Sequence, residues 1–273
     1  VVGTGGFGTV TAGWRIKDNL PVAIKIIKRE EVHHWEDDKK IMPREIAILN
    51  RLSSVPRVIQ LLDWYEDDDS FLLIFDRPEP CLDLFEYISL KKFIQENEAK
   101  KLFREAVSVA SSMYESGIIH RDIKSENFLV FSDRSGKPSL KIIDFGAAGY
   151  VSTCASENVN GTPMYYPDEW FRLRKYHALP ASVWSLGILL FDMTNGRLPF
   201  ETKEEILCGI YDFERSIPLS EDLKELVRAL LVPDPFERPS FDQILLHPWL
   251  STNTNDSDRG SAGNSNSSSS SDF

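Results

Sequence analysis

His120-Arg121-Asp122-Ile123-Lys124-Ser125-Glu126-Asn127 and, seventeen residues beyond Asn127, Asp144-Phe145-Gly146 decide how the chain is read. The first run follows the apolar pair Ile118-Ile119; the second follows the strand-like Leu140-Lys141-Ile142-Ile143. A hydroxyl nucleophile needs a carboxylate near its proton, the place for Asp122. Asn127 and Asp144 offer hard oxygens of the kind that hold Mg2+. Lys124 can neutralise charge on a group being transferred. Either tripeptide alone would occur by accident in many chains, and each residue alone reads as a solvated loop charge.

The residues upstream add to this set. Gly3-Thr4-Gly5-Gly6-Phe7-Gly8-Thr9-Val10 is a GxGxxGxV run, whose glycines let backbone N–H groups approach phosphates. A plain hairpin turn is the competing reading. A dinucleotide-binding loop would open a helix at the third glycine, whereas Thr9-Val10-Thr11-Ala12 continues as strand. Val22-Ala23-Ile24-Lys25 then sets a lysine among apolar neighbours. A buried ammonium needs an acidic partner, and Glu45 on the following helix can supply it. A surface lysine at a strand edge is the alternative.

Working outward, residues 1–75 alternate as strands at Val1–Val2, Val10–Trp14, Val22–Ile27, Val58–Tyr65 and Phe71–Phe75. One amphipathic helix interrupts them at Arg44–Leu52, and Asp67–Ser70 is a polar turn. After Pro78-Glu79-Pro80 the pattern becomes helical: Leu82–Ser89, Glu96–Gly117, Ala181–Asn195 and Asp222–Leu231. The expected class is α+β. A small β-rich lobe with one main helix (1–75) leads through a proline-stiffened connector (76–80) to a larger, mostly helical lobe (81–250). Residues 251–273, rich in Ser, Asn, Gly and Asp, read as a disordered tail.

The charge is −11, from 31 Lys+Arg against 42 Asp+Glu. That excess argues against nucleic acid and towards a cationic partner or mere solubility. No segment approaches the roughly 18 apolar residues of a membrane span, so no membrane partner is expected. Three scattered cysteines, Cys81, Cys154 and Cys208, form neither a disulfide framework nor a zinc set, which favours cytosol or nucleus. Asn160-Gly161-Thr162 matches a glycosylation sequon and reads as chance in that setting. The chain begins at Val1 inside a strand, so further sequence upstream is expected.

The ordered set of glycine loop, strand lysine, helix glutamate, HRDxKxxN and DFG resembles the protein kinases, over essentially all of 1–250. The resemblance implies a bilobal kinase fold using ATP and Mg2+. It implies Asp122, Lys124, Asn127, Lys25 and Glu45 as catalytic residues, with Asn127 and Asp144 as metal ligands. ATP would lie among Val2, Gly3, Gly5, Gly6, Phe7, Gly8, Val10, Ala23, Lys25, Phe75, Asp76, Pro78, Asp83, Leu129 and Asp144. Gly161-Thr162-Pro163 resembles the segment that seats substrate. Pro167-Asp168-Glu169 stands where kinases have Ala-Pro-Glu, and Glu169 is expected to pair with Arg238. Trp184-Ser185-Leu186-Gly187 resembles the large lobe's central helix, and His247-Pro248-Trp249-Leu250 the usual end. Lys124 with Gly161-Thr162 favours Ser/Thr over Tyr as acceptor.

A narrower match is to the PIM family, carried by Leu61-Leu62-Asp63-Trp64, by Asp76–Pro80 followed by Asp83-Leu84-Phe85, and by Val183–Leu190. Pro78 lacks the N–H that most kinases offer to adenine, as in that family. Ser182 stands where most kinases carry an aspartate that braces the catalytic loop, and the PIM family departs there too. Phe75 at the gatekeeper position, Ser125 and Asp168 differ from the family pattern, so the resemblance is to a divergent member.

Asp83 and Glu86, three apart on one expected helical face, and Glu126 resemble the positions that read arginines before the acceptor, with Thr162 also on the substrate side. Asp83 could instead meet the ATP ribose, and Glu86 could be plain surface. Protein substrates with basic segments are the expected partners, and a monomer is expected. Residues 147–166 contain Ser152, Thr153 and Ser156 but no Lys or Arg, with Arg121 available to pair a phosphate; the PIM resemblance implies activity without phosphorylation of that loop. The competing function is a pseudokinase scaffold without turnover. A small-molecule phosphotransferase is disfavoured by Gly161-Thr162, Pro167–Glu169 and the 237–249 region.

Overall fold

Alternating apolar residues build the amino-terminal sheet of the computed structural model, which describes residues 3–5, 8–37, 39, 41–157 and 161–251. Its strands are β1 (Gly3–Gly5), β2 (Gly8–Arg15), β3 (Leu20–Lys28), β4 (Leu61–Glu66) and β5 (Ser70–Asp76). They lie in the order β1-β2-β3-β5-β4, with every neighbouring pair antiparallel. On β5 the residues Phe71, Leu73 and Phe75 face inward with period two, as one covered sheet face requires. What covers it is α1 (Arg44–Arg51), which buries Ile46, Ile48 and Leu49. The β1–β2 turn needs glycine at position 8. Its φ is +118°, and a Cβ there would meet the Ile26 carbonyl oxygen at 2.3 Å. Val2, Gly6 and Phe7, expected at the nucleotide, lie outside the described residues.

Beyond β5 come β6 (Cys81–Asp83), α2 (Leu84–Lys91), α3 (Glu96–Glu115), β7 (Ile118–Ile119), β8 (Phe128–Ser132), β9 (Pro138–Ile142) and β10 (Gly149–Tyr150). Helices α4 (Asp168–Leu173), α5 (Ala178–Asn195), α6 (Lys203–Cys208), α7 (Glu221–Leu230), α8 (Phe241–Leu245) and α9 (Pro248–Ser251) follow among the described residues. Helix α5 is apolar almost all round and correspondingly buried, from Ala181 to Asn195 with Ser185 alone left half-exposed. It is the axis around which α3, α7 and the catalytic segment pack. The result is the bilobal α+β kinase architecture, a β-rich amino-terminal lobe on a helical carboxy-terminal one.

Three expectations need correction. The helix expected from Leu82 begins at Leu84, because Cys81–Asp83 pair with Leu129–Phe131 of β8 as a short strand. Asp83 is therefore not on a helical face with Glu86. It caps α2, its carboxylate accepting the Glu86 N–H at 2.7 Å. The strand expected from Val58 starts at Leu61. Val58 instead bridges Ile142, after Arg57 turns the backbone through φ +66°. Ser251 closes α9 rather than opening a tail, and the remainder of 251–273 lies outside the described residues.

Candidate active site

The two quoted motifs meet through backbone pairing. The Ile143 N–H donates to the Asn127 carbonyl at 2.9 Å, and His120 Nε2 meets the Ile143 carbonyl at 3.0 Å. Burial pulls the His120 pKa below its ordinary value, so the ring is neutral and packs edge-on against Phe145 at 4.9 Å. His120 thus acts as scaffold between the two loops.

Asp122 is the hub of the catalytic loop. Its Oδ2 accepts from Asn127 Nδ2 at 2.9 Å and lies 3.0 Å from Lys124 Nζ. Its Oδ1 accepts the Thr162 N–H at 3.1 Å. Lys124 Nζ also donates to Thr162 Oγ1 at 2.7 Å, which ties the catalytic loop to the segment after Gly161. A second N–H of Asn127 donates to the Asp122 carbonyl at 2.7 Å. With both amide protons used, the Asn127 oxygen is the group left for a cation.

Lys25 is buried, 6% exposed, and its ammonium is shared between two carboxylates. It donates to Glu45 Oε1 and Oε2 at 2.8 and 3.0 Å and to Asp144 Oδ1 at 2.9 Å. Burial pulls the Lys25 pKa down, but attraction to Glu45 and then Asp144 outweighs it, and the pKa is raised. For Asp144 burial likewise opposes ionisation, and Lys25 reverses it so that its pKa is lowered. Both stay ionised at neutral pH. The Glu45 partner was readable from sequence; the bond to Asp144, from a residue far along the chain, was not. Asn127 and Asp144 together present two hard oxygen donors. Among the described residues no group of three His, Cys, Asp or Glu side chains could hold a metal alone. Two protein ligands suit Mg2+, which keeps waters and phosphate oxygens in its shell.

The strands place the remaining nucleotide-side residues. Gly3 pairs with Val10 and Gly5 with Gly8 in the β1–β2 hairpin; Val10 faces Lys25 across β2–β3, and Ala23 faces Phe75 across β3–β5. Leu129 lies on β8 opposite Lys141. Phe75 is buried on the covered face of β5. Asp76 is braced by Lys141 Nζ and by the Gln60 N–H, which donates to its carboxylate at 2.7 Å. That brace fixes the backbone entering Pro78.

A carboxylate cluster flanks this cleft. Burial chiefly, then Glu86 and Glu126, push the Asp83 carboxyl up, so the three residues share one neighbourhood despite the altered role of Asp83. Sequence reading missed a fourth member. Asp192 on α5 is buried beneath the catalytic loop and accepts from Ser125 Oγ at 2.9 Å. Burial, with a smaller contribution from Glu126, raises its pKa to about 6. Nothing in α5's apolar pattern marks it except a lone charge on a buried helix.

The expected Glu169–Arg238 pair is present and bidentate, at 3.0 and 2.7 Å. Arg238 also donates to the Val232, Pro180 and Pro233 carbonyls and stacks on Trp184. Ser182 turns back on its own helix, donating to the Ala178 carbonyl at 2.9 Å. Consistent with the missing brace, Arg121 Nε and His120 Nδ1 are buried without a partner among the described residues.

A lysine shared by a helix glutamate and the DFG aspartate, beside an aspartate clamped by Lys124, Asn127 and Thr162, defines a phosphotransferase centre of the kinase type. Residues 1–250 match the protein kinase domain family, and the chain belongs to it. Its relatives narrow the class to kinases related to PIM. The serine/threonine-protein kinase pim-2 of Danio rerio is 39% identical over 261 residues, which cover 92% of this chain and 83% of that protein. The serine/threonine-protein kinase prk-2 of Caenorhabditis elegans is 40% identical over 258 residues, 93% of this chain and 57% of that one. The serine/threonine-protein kinase PSK1 of Saccharomyces cerevisiae is 35% identical, with 91% of this chain matching only 19% of its length. The chain thus spans most of pim-2 but little more than half of prk-2 and a fifth of PSK1.

Proposed function

We propose that this chain is a catalytically active Ser/Thr kinase that transfers the γ-phosphoryl group of ATP to protein hydroxyls preceded by Arg or Lys. The observation that carries the reading is Asp122, held on both oxygens by Lys124, Asn127 and Thr162. As the acceptor hydroxyl oxygen bonds to the γ-phosphorus and the bond to ADP breaks, Asp122 takes the hydroxyl proton. Lys124 stabilises charge on the group in transit. Lys25, kept charged by Glu45, holds the α- and β-phosphates. Asn127 and Asp144 would hold Mg2+, which when bound neutralises phosphate charge.

The acidic cluster supports the substrate preference. Asp83, Glu86 and Glu126 with Asp192 behind them present carboxylates that match guanidinium groups bidentately. The Lys25–Glu45 pair, which Asp144 also joins, supports a competent catalytic arrangement, and activity without phosphorylation of residues 147–166 belongs to the same proposal. A reducing compartment and a monomeric enzyme complete the proposal. A peptide panel with arginines removed singly upstream of serine tests it: kcat/KM should fall at least about tenfold, the factor one good charge-assisted pair is worth. Rates indifferent to every arginine would refute the preference.

A further inference from the structure

Glu45 meets Lys25 only while α1 stays against the body of the protein; Ile46, Ile48 and Leu49 hold its core face, but its ends need further anchors. Its N-cap is Pro43, which provides no side-chain cap. Instead the chain before it folds into a hairpin. Trp35 bridges Pro43, the Glu36 N–H donates to the Met42 carbonyl at 2.9 Å, and the Arg44 N–H donates to the His34 carbonyl at 2.9 Å. Arg44 Nη2 adds a bond to the Trp35 carbonyl. Glu36 is therefore tied through backbone hydrogen bonds to the start of α1.

Tyr150 reaches this hairpin from the opposite side. It lies four residues past Gly146 and is fixed by the β10–β7 pairing with Ile118 and by the Val151 N–H on the Gly117 carbonyl at 2.9 Å. Its hydroxyl donates to Glu36 Oε1 at 2.6 Å. Its ring lies 6.0 Å from the guanidinium of Arg51, the last residue of α1, while Arg51 Nε donates to the Ser116 carbonyl at 2.8 Å. One side chain thus engages α1 at its carboxy end directly and at its amino end through the hairpin. No catalytic motif requires a tyrosine here.

The geometry points to Tyr150 as a positioning residue: by bonding Glu36 and lying beside Arg51 it latches α1 to the segment after DFG and keeps Glu45 on Lys25 without phosphorylation of residues 147–166. This rests on the phosphorylation-independent activity proposed above. Burial and the Glu36 bond raise the pKa of the phenol, so it remains the proton donor across the physiological range. Charge attraction from Arg44 and Arg51 opposes this only weakly.

The test uses phosphatase-treated protein. In Tyr150→Phe, exchange of the 44–51 amides should quicken about fivefold, the factor a hydrogen bond of ordinary net strength is worth. Phosphate transfer should fall in kcat by at least about twofold, with peptide KM unchanged and Tm lowered by no more than about 4 °C. Glu36→Ala should match it, Glu36→Gln, which keeps an acceptor, should stay near wild type, and Tyr150→Phe with Glu36→Ala should be no worse than either alone. Wild-type exchange and kcat in Tyr150→Phe, or losses that multiply in the double variant, would overturn the latch alone. A wild-type protein inert after phosphatase would overturn both the latch and the reading beneath it.

Discussion

Gly161→Ala should disable phosphate transfer while leaving the fold intact. Gly161 has φ +110°, a conformation L-residues rarely adopt, and it sits directly over the catalytic loop. A methyl group there would lie 2.7 Å from Asp122 Oδ1 and 2.8 Å from the Arg121 carbonyl oxygen. Ordinary contact begins near 3.4 Å, so the Asp122 carboxylate must retreat by roughly 0.7 Å, and misplacement on the order of 1 Å costs about 100-fold in rate. The backbone strain is on the order of 1–3 kcal/mol. For a chain of this size that lowers Tm by about 2–4 °C per kcal/mol. The assay pairs steady-state transfer from radiolabelled ATP with thermal unfolding. Expected are a kcat lower by roughly 30- to 100-fold and an ATP KM close to wild type, because Lys25, Glu45 and Asp144 do not touch Gly161. A kcat within about threefold of wild type would refute the reasoning, since the clash would then have been absorbed without moving Asp122.

Two further outcomes follow from buried charges. Glu169→Gln leaves Arg238, whose side chain is fully buried, without its anion. Such a loss costs about 3–5 kcal/mol and should lower Tm by on the order of 10 °C, a shift under about 3 °C contradicting the assigned role. Asp192 has a folded pKa of about 6, above its ordinary carboxylate value. The folded state therefore holds this proton to higher pH, and stability is lost as pH rises from about 4 through about 6, by up to roughly 3 kcal/mol. Asp192→Asn removes that slope, so its Tm advantage should be absent near pH 4 and full near pH 7. Parallel Tm profiles for the two proteins would contradict the assignment.

The parts of the site legible in the sequence were those written as local spacing. Asp122, Lys124 and Asn127 fall within one loop, and the uninterrupted apolar run Phe71-Leu72-Leu73-Ile74-Phe75 marks a buried strand, whose period-two burial only the fold reveals. Glu169 and Arg238 were paired by resemblance, and the bidentate contact followed. Contacts between distant segments with no periodicity escaped. Asp144 joining Lys25, Ser125 reaching Asp192, and Tyr150 meeting Glu36 are each closed by tertiary packing rather than by propensity. The misplaced start of α2 has a similar origin. Three residues of β6 carry no alternation, and only their ladder to β8 makes them a strand. That ladder turned Asp83 from a helix-face residue into a helix cap.

The central claim is that Asp122, Lys25 and Asp144 form a working transfer centre. Radiolabelled phosphate transfer to an arginine-rich serine peptide, comparing the wild-type chain with Asp144→Asn prepared identically, addresses it most directly. The expected result is robust labelling by the wild type and a loss of at least about 100-fold in the variant, with both proteins folded. Equal labelling by the two, or none by either, would contradict it.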